Sequence, residues 1–359
     1  MINRRAFLTT APALGALVLA GRASGYGRDD IAKVAGPVWQ AWKSAFLTPE
    51  GRVIDTLQQN ASHSEGQGYG MVLATYFDDA DAFRRMFQWT ERHLAIRPDP
   101  LLSWRWLPAQ ANPVPDRNNA SDGDLFYAWA LVRAATRFGE RSYLRRAQEI
   151  ADALAADCIV EMPDASGSTV LLPAVHGFVH DGRLTINPSY YMPLAMRELA
   201  IATGVSALAA CAQTSDGLLD TLARDGLVPD WVDISAQGIA PSERMPANTG
   251  YEALRVPLFL IWSRMEGHLA VRRMASLYER TRQPGLGVPT VIEPLSGVVL
   301  ESSDDPGYQA LAGLAVCSSQ RALGAPIPPF TSAQPYYPAT LQLFSMIAVT
   351  ETSPECVPI

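Results

Sequence analysis

Ser121-Asp122-Gly123-Asp124-Leu125-Phe126-Tyr127-Ala128-Trp129-Ala130-Leu131-Val132-Arg133-Ala134-Ala135-Thr136-Arg137-Phe138 begins with two aspartates around a glycine and continues as an apolar stripe. Leu125, Ala128, Leu131, Val132, Ala135 and Phe138 recur at helical spacing, which predicts a helix over 121–138. Working outward, similar patterns run through 68–77, 80–95, 142–157, 189–203, 205–213, 251–266, 268–281, 306–320 and 336–350. Extended segments are few and short: Thr169-Leu172, Phe178-Val179 and Val298-Leu300. Joints rich in proline and glycine, such as Pro98-Asp99-Pro100, Pro113-Val114-Pro115 and Pro284-Gly285, separate the helices. No repeat of fixed period appears, so a regular solenoid is not supported. The chain therefore reads as all-α with a few short strands. At this level a bundle, an irregular solenoid and an (α/α)6 barrel all stay open.

With 359 residues, 48% of them hydrophobic, there is ample material for a sizeable core. No Gly/Ser linker, charge block or low-complexity stretch interrupts it, so one domain is expected over residues 24–359. The net charge of -7 and the absence of a basic run argue against a nucleic-acid partner and against anionic lipid. At the N-terminus, Arg4-Arg5-Ala6-Phe7-Leu8 precedes the apolar stretch from Ala11 to Ala20 and then the small residues Gly21 and Ala23. This is the layout of a secretory signal over residues 1–23, and the arginine pair gives it twin-arginine character, with an ordinary Sec signal as the alternative. A periplasmic or secreted location is expected. The apolar run is shorter than the roughly 20 residues that a membrane span needs. Cys158, Cys211, Cys317 and Cys356 show no metal-ligand spacing; they allow one or two disulfides or buried free thiols, and sequence does not choose.

Three segments place carboxylates at helix starts. In Ser62-His63-Ser64-Glu65-Gly66-Gln67-Gly68-Tyr69-Gly70-Met71, three glycines follow a glutamate. Ser64-x-x-Gln67 matches a capping box, and Glu65 in a first turn suits the helix dipole. The glycines cost helix stability and fit a close approach of backbone to a neighbour or ligand. His63 reads as a satisfied surface histidine. The second segment is Asn118-Asn119-Ala120-Ser121-Asp122-Gly123-Asp124, again compatible with a cap; a calcium loop would need more oxygen ligands than it supplies. The third is Asn248-Thr249-Gly250-Tyr251-Glu252-Ala253-Leu254-Arg255-Val256-Pro257. Thr249-x-x-Glu252 is a third capping pattern, but Pro257 favours a helix that starts near Val256 and leaves Glu252 in the loop before it. Carboxylates at the N-terminal ends of parallel neighbouring helices converge, and a convergent pair is what glycoside hydrolysis requires.

Aromatic residues cluster around these segments: Trp104-Arg105-Trp106, Tyr190-Tyr191, Trp231 and Tyr336-Tyr337. Most rings belong in a core, but those in polar, proline-bearing joints suit stacking on the apolar faces of sugars.

The stretch Ala120 to Phe138 resembles the signature of glycoside hydrolase family 8, departing at Tyr127, where the family prefers Ile or Met. Ser64-Glu65-Gly66-Gln67-Gly68-Tyr69-Gly70-Met71 resembles its general-acid motif. Asn187-Pro188-Ser189-Tyr190-Tyr191 and Tyr251-Glu252-Ala253-Leu254-Arg255-Val256-Pro257 also have counterparts there. The four motifs occur in order, and the resemblance runs from about residue 35 to 350. It includes the exported endoglucanases associated with bacterial cellulose synthesis.

The resemblance implies an (α/α)6 barrel, an open cleft across the N-terminal ends of the inner helices, and an inverting endo-β-1,4-glucanase that needs no cofactor or metal. It implies Glu65 as general acid, Glu252 as general base, and Asp122 as the residue that positions sugar and water, with Asp124 as runner-up. Trp104, Arg105, Trp106, Tyr190, Tyr191, Trp231, Tyr251, Arg255, Tyr336 and Tyr337 are the candidate substrate-binding set, in which the resemblance places Tyr251 and Arg255 beside the general base. A β-1,4-glucan partner, association with a cellulose synthase complex and a monomeric state are expected. The main departure is Glu252, where the family's cellulases carry Asp. The extra methylene matters, because a misplacement on the order of 1 Å can cost about 10²-fold in rate. Asp230, Asp233 and Glu243 are fallback bases. The alternatives are a weakened glucan binder, a family member acting on xylan, mixed-linkage glucan or chitosan, and a polysaccharide lyase of the same architecture.

Overall fold

The computed structural model describes residues 28–357 except 165, 284 and 321. The proposed signal segment over 1–23 lies outside the described residues. Among them eleven α-helices follow in chain order: α1 (Arg28–Phe46), α2 (Ser64–Tyr76), α3 (Ala80–His93), α4 (Ser121–Arg137), α5 (Arg141–Asp157), α6 (Pro193–Thr203), α7 (Ser206–Leu222), α8 (Arg255–Trp262), α9 (Leu269–Thr281), α10 (Pro306–Gln320) and α11 (Tyr336–Thr352).

Sequence pattern decides which helices face the middle. Helix α3 buries Phe83, Met86, Trp89 and Thr90, and α9 buries Val271, Met274, Ala275 and Tyr278; both keep a polar outer face. Helices α2, α8 and α11 are apolar around nearly the whole circumference, and all eight residues of α8 are buried. A helix apolar all round must be enclosed by others. The result is an inner layer wrapped by amphipathic helices, an (α/α)6 barrel. Tyr69, Phe126, Phe259, Trp262 and Phe344, contributed by four inner helices, pack ring against ring along its axis.

The glycines of α2 and α4 are explained by close approach. A Cβ on Gly68 would lie 2.9 Å from the Tyr127 backbone nitrogen, and one on Gly123 would lie 2.1 Å from Ser64 Oγ and 2.7 Å from the Glu65 nitrogen. Helices α2 and α4 thus touch backbone to backbone, which brings the starts of both helices, and their carboxylates, together.

Short antiparallel strands decorate the loops: β1 (Ser62–His63) with β2 (Arg105–Trp106), β3 (Ile159–Glu161) with β4 (Thr169–Leu171), the sheet β5 (Val179–His180), β6 (Arg183–Ile186), β7 (Val232–Ser235), β8 (Gly238–Pro241), and β9 (Val288–Ile292) with β10 (Val299–Ser303). Helix periodicity anticipated ten of the helices and missed α1, which carries Pro37 within it. It also placed a helix over 251–266, where Pro257 delays the start to Arg255. The helix read over 189–203 is split: a 3-10 turn at Pro188–Tyr190 precedes α6, which opens on Pro193. Cys317 and Cys356 form a disulfide that ties α10 to the turn Pro354–Cys356, and Cys158 and Cys211 are buried free thiols.

None of the three capping boxes forms. Ser121 Oγ donates to the Leu172 carbonyl at 2.6 Å, and Thr249 Oγ1 donates to the Val228 carbonyl at 2.9 Å. Gln67 accepts from the Val53 N–H at 2.6 Å and donates to the Gly51 carbonyl at 3.1 Å and Thr90 Oγ1 at 2.8 Å. Tertiary partners have taken the groups that local capping would have used.

Asp124 is buried completely, with Oδ1 accepting from the Leu102 N–H at 2.8 Å and Oδ2 from Asn119 Nδ2 at 3.0 Å. It holds the loop at 101–103 from below and does not line the cleft, which corrects its placement as runner-up for sugar or water positioning. Asp122 and Asp124 point apart, so the sequence between them is not a cation loop.

Two outcomes follow for stability. Gln67→Leu leaves the buried Val53 N–H and its neighbours unpaired and should lower unfolding free energy by about 2–4 kcal/mol, read from urea midpoints. Burial pushes the Asp124 carboxyl up to about 7, against the pull of its Leu102 and Asn119 bonds. Its folded value lies above the unfolded one, so its contribution is fully present at low pH and is lost as pH rises toward 7. Wild type should therefore lose roughly 1–3 kcal/mol relative to Asp124→Asn between pH 4 and pH 8, measured as the difference in denaturant midpoints.

Candidate active site

The N-terminal ends of α2, α4, α8, α10 and α11 open into one cleft of about 480 Å³. Its walls carry Glu65, Asp122, Glu252 and Arg255 together with Trp104, Tyr190, Tyr251, Tyr308, Tyr336 and Tyr337. Glu65 and Asp122 lie in the first turns of α2 and α4, where the helix dipole favours negative charge. Glu252 lies in the turn before α8, as Pro257 predicts.

Arg255 joins these groups. It is 1% exposed, and it starts α8, an end where the dipole disfavours a cation. Nη1 donates to Glu65 Oε2 and, at 2.9 Å, to Tyr69 Oη; Nη2 donates to Glu252 Oε2 and, at 2.8 Å, to Ser189 Oγ. Asp122 Oδ2 lies 3.7 Å from Nη1. Burial alone would lower the Arg255 pKa, but the surrounding tyrosines and carboxylates hold it well above the ordinary value. Burial pushes Asp122 well above the usual carboxylate range, the charge of Glu65 adds to this, and Arg255 opposes it. Three carboxylates around one guanidinium carry more negative charge than it offsets, which disfavours full ionisation of the cluster.

The turn that carries Glu252 is pinned independently. Asp230 Oδ1 accepts from the Gly250 and Ala253 N–H groups, each at 2.8 Å, and Thr249 pairs with Ile292. Asp230, read as a fallback base, is buried beneath the turn and shapes the loop that carries Glu252; burial pushes its carboxyl up to about 6. Asp233, another fallback, accepts from Thr185 Oγ1 within the sheet, and Glu243 pairs with Arg183 at the surface. Neither of these lines the cleft.

Of the aromatic set, Trp104, Tyr190, Tyr251, Tyr336 and Tyr337 line the cleft. The Tyr251 backbone carbonyl accepts from Tyr337 Oη at 2.6 Å, and its own hydroxyl donates to Glu301 at 3.1 Å. Four others are corrected. Tyr191 is 1% exposed in the core, where its hydroxyl meets the backbone of Leu171. Trp106 packs edge-on against Trp89, and Arg105 covers the Trp104 ring from 4.3 Å. Trp231 stacks on Phe178 and supports Tyr190 edge-on. Each is adjacent in sequence to a motif residue, but its side chain is used to brace rather than to line. The sequence reading missed Asp55, Ser303, Asp305 and Tyr308, all cleft-lining: Asp55 and Asp305 lie in connections, Ser303 ends β10 and Tyr308 lies in the first turn of α10, and none has a motif around it.

The sequence pattern of the glycosyl hydrolases family 8 matches residues 28–351. The chain is 34% identical to a probable endoglucanase of Novacetimonas hansenii over 346 residues, 94% of this chain and 96% of that protein. It is 35% identical to an endoglucanase of Cellulomonas uda over 231 residues, 64% of each chain. Among solved structures, the endo-β-1,4-glucanase CMCax from Acetobacter xylinum superposes with a TM-score of 0.80 at 29% identity, covering 91% of this chain and all of that one. With Glu65, Asp122 and Arg255 gathered at the mouth of an (α/α)6 barrel and the match spanning nearly all described residues, the chain belongs to the glycosyl hydrolases of family 8.

Proposed function

We propose that this protein is an inverting endo-β-1,4-glucanase that cleaves cellulose or a soluble β-1,4-glucan. The observation that carries the reading is the Arg255 guanidinium, which holds Glu65 on one nitrogen and Glu252 on the other across the floor of an open cleft. An inverting pair must flank the scissile bond with carboxyls roughly 6.5–9.5 Å apart, leaving room for a water. Glu65 and Glu252 both line the cleft, each on a different nitrogen of that guanidinium.

In the reaction, Glu65 gives its proton to the leaving glycosidic oxygen as the C1–O bond breaks. Water attacks C1 from the opposite face of the ring and loses a proton to Glu252. One water is consumed, and the two carboxyls exchange protonation states until solvent resets them. Asp122, buried beside Glu65 with its carboxyl held well above the usual carboxylate range, shares a proton with Glu65, which carries it when the glycosidic oxygen arrives. Arg255 offsets the surplus negative charge. Trp104, Tyr190, Tyr251, Tyr336 and Tyr337 supply faces for neighbouring glucosyl units, and the open cleft suits attack within a chain rather than at its end.

The working place is the periplasm or the exterior, with the protein acting as a monomer beside a cellulose synthase complex. The N-terminal signal pattern supports export, and so does the Cys317–Cys356 disulfide, since such bonds persist in oxidising compartments. A second reading, a weakened glucan binder, has one observation in its favour. Glu252 stands where the family's cellulases resemble one another in carrying Asp, and its carboxylate is engaged by Arg255.

Reducing-end release from carboxymethyl cellulose separates the two. Wild type should cleave, Glu65→Gln should lose at least about 10³-fold in kcat, and Glu252→Asp should retain activity. An inert wild type with an active Glu252→Asp would favour the binder. Proton NMR of the first products should show the α-anomer, the mark of inversion. Gly123→Ala forces Ser64 and the Glu65 backbone away from α4, and it should lower kcat by about 10²-fold for an order 1 Å displacement of the acid, while costing about 1–3 kcal/mol of stability.

A further inference from the structure

His63 does not behave as a surface residue at rest. It lines the cleft two positions before Glu65, and its Nε2 is buried with no hydrogen-bond partner. Its place is fixed from both sides. The backbone pairs with Arg105 through β1 and β2, and the next residue, Ser64, donates its N–H to the Trp104 carbonyl at 2.9 Å. The imidazole lies nearly parallel to the Trp104 ring, at 22° and 5.9 Å between centroids, and the Trp104 indole is itself held by Asp116 at 2.9 Å. Burial lowers the imidazole pKa and Arg105 adds to this, against the pull of Glu65 and Asp55. Either nitrogen of a neutral imidazole can pair with a hydroxyl, one as donor and the other as acceptor.

A buried polar atom without a partner is costly, and proteins keep such atoms where a ligand or water completes them. A site built to pair with a hydroxyl also discriminates against substrates that cannot supply one. We propose that His63 is a further substrate-binding residue, hydrogen-bonding a hydroxyl of the sugar unit that lies beside Trp104 in the cleft. The proposal rests on the glucan reading given above. It assigns His63 the recognition of a neutral, hydroxyl-bearing ring and leaves the proton transfers to the carboxylates.

The test uses three variants of the full chain, with cellohexaose as probe. His63→Phe keeps an aromatic ring against Trp104 and removes both nitrogens; His63→Gln restores a donor and an acceptor; His63→Ala removes everything. Contact with the bound sugar predicts a KM about 3- to 10-fold higher for His63→Phe with kcat nearly unchanged, the loss expected for one neutral hydrogen bond made equally in ground and transition states. His63→Gln should recover part of this. Calorimetric titration of cellohexaose into the Glu65→Gln protein and its His63→Phe double variant reads the same contact without turnover. If His63→Phe matches wild type in KM and in affinity while only His63→Ala is impaired, the ring is a prop for Trp104 and the proposal is overturned. If wild type neither binds nor cleaves any β-1,4-glucan, the functional reading fails and takes this inference with it. An active wild type with an unaffected His63→Phe sinks this inference alone.

Discussion

A guanidinium buried at the start of a helix is an unfavourable object in isolation. Arg255 has lost its water, and the dipole of α8 opposes its charge. It is tolerable only because Glu65, Asp122 and Glu252 converge on it with Tyr69 and Ser189. The reverse also holds. Three carboxylates from three separate segments would repel one another without the cation between them. The charged groups of the cleft are therefore each other's structural support, and removing one member leaves an uncompensated charge rather than a simple gap.

The barrel exists to bring those segments to one end. Helices α2 and α4 approach backbone to backbone through Gly68 and Gly123, which sets the Glu65 and Asp122 starts side by side. Proline at 257 holds α8 back to Arg255, so Glu252 stays in a turn, and Asp230 with the Thr249–Ile292 bridge fixes that turn from below. Glu65 sits on a rigid helix end and Glu252 on a braced turn. Under the proposed roles such a division suits a base that must accommodate a water, and it gives the extra methylene of Glu252 a turn, rather than a helix, in which to be absorbed.

The site was partly legible from sequence. Glu65, Asp122, Glu252 and Arg255 stood in ordered motifs, and the structure gathers them at one cleft. Several neighbours were misread for one reason: adjacency in sequence says little about the side of the chain a residue faces. Tyr191 follows Tyr190, yet one lies in the core and the other at the cleft. Asp124 follows Asp122 by two residues and points the other way. Asp55 and Asp305 come from connections that carry no local pattern, Tyr308 comes from the first turn of α10, and only the closing of the barrel brings them to the cleft.

The capping readings show where local physics stops. Ser121, Gln67 and Thr249 each fit a cap by spacing, and each instead bonds to a distant backbone group. A helix end packed against a neighbour has better partners than its own first turn, and spacing cannot reveal them. By itself, the sequence determined the helical class, through a periodicity that local geometry imposes on any buried helix face. It also determined which carboxylates stand at helix starts, because proline and glycine mark those starts locally. Only the tertiary structure decided which of those carboxylates share a charge partner and which rings face the cleft. Those contacts join residues up to 190 positions apart, as between Glu65 and Arg255, and depend on the packing of whole helices.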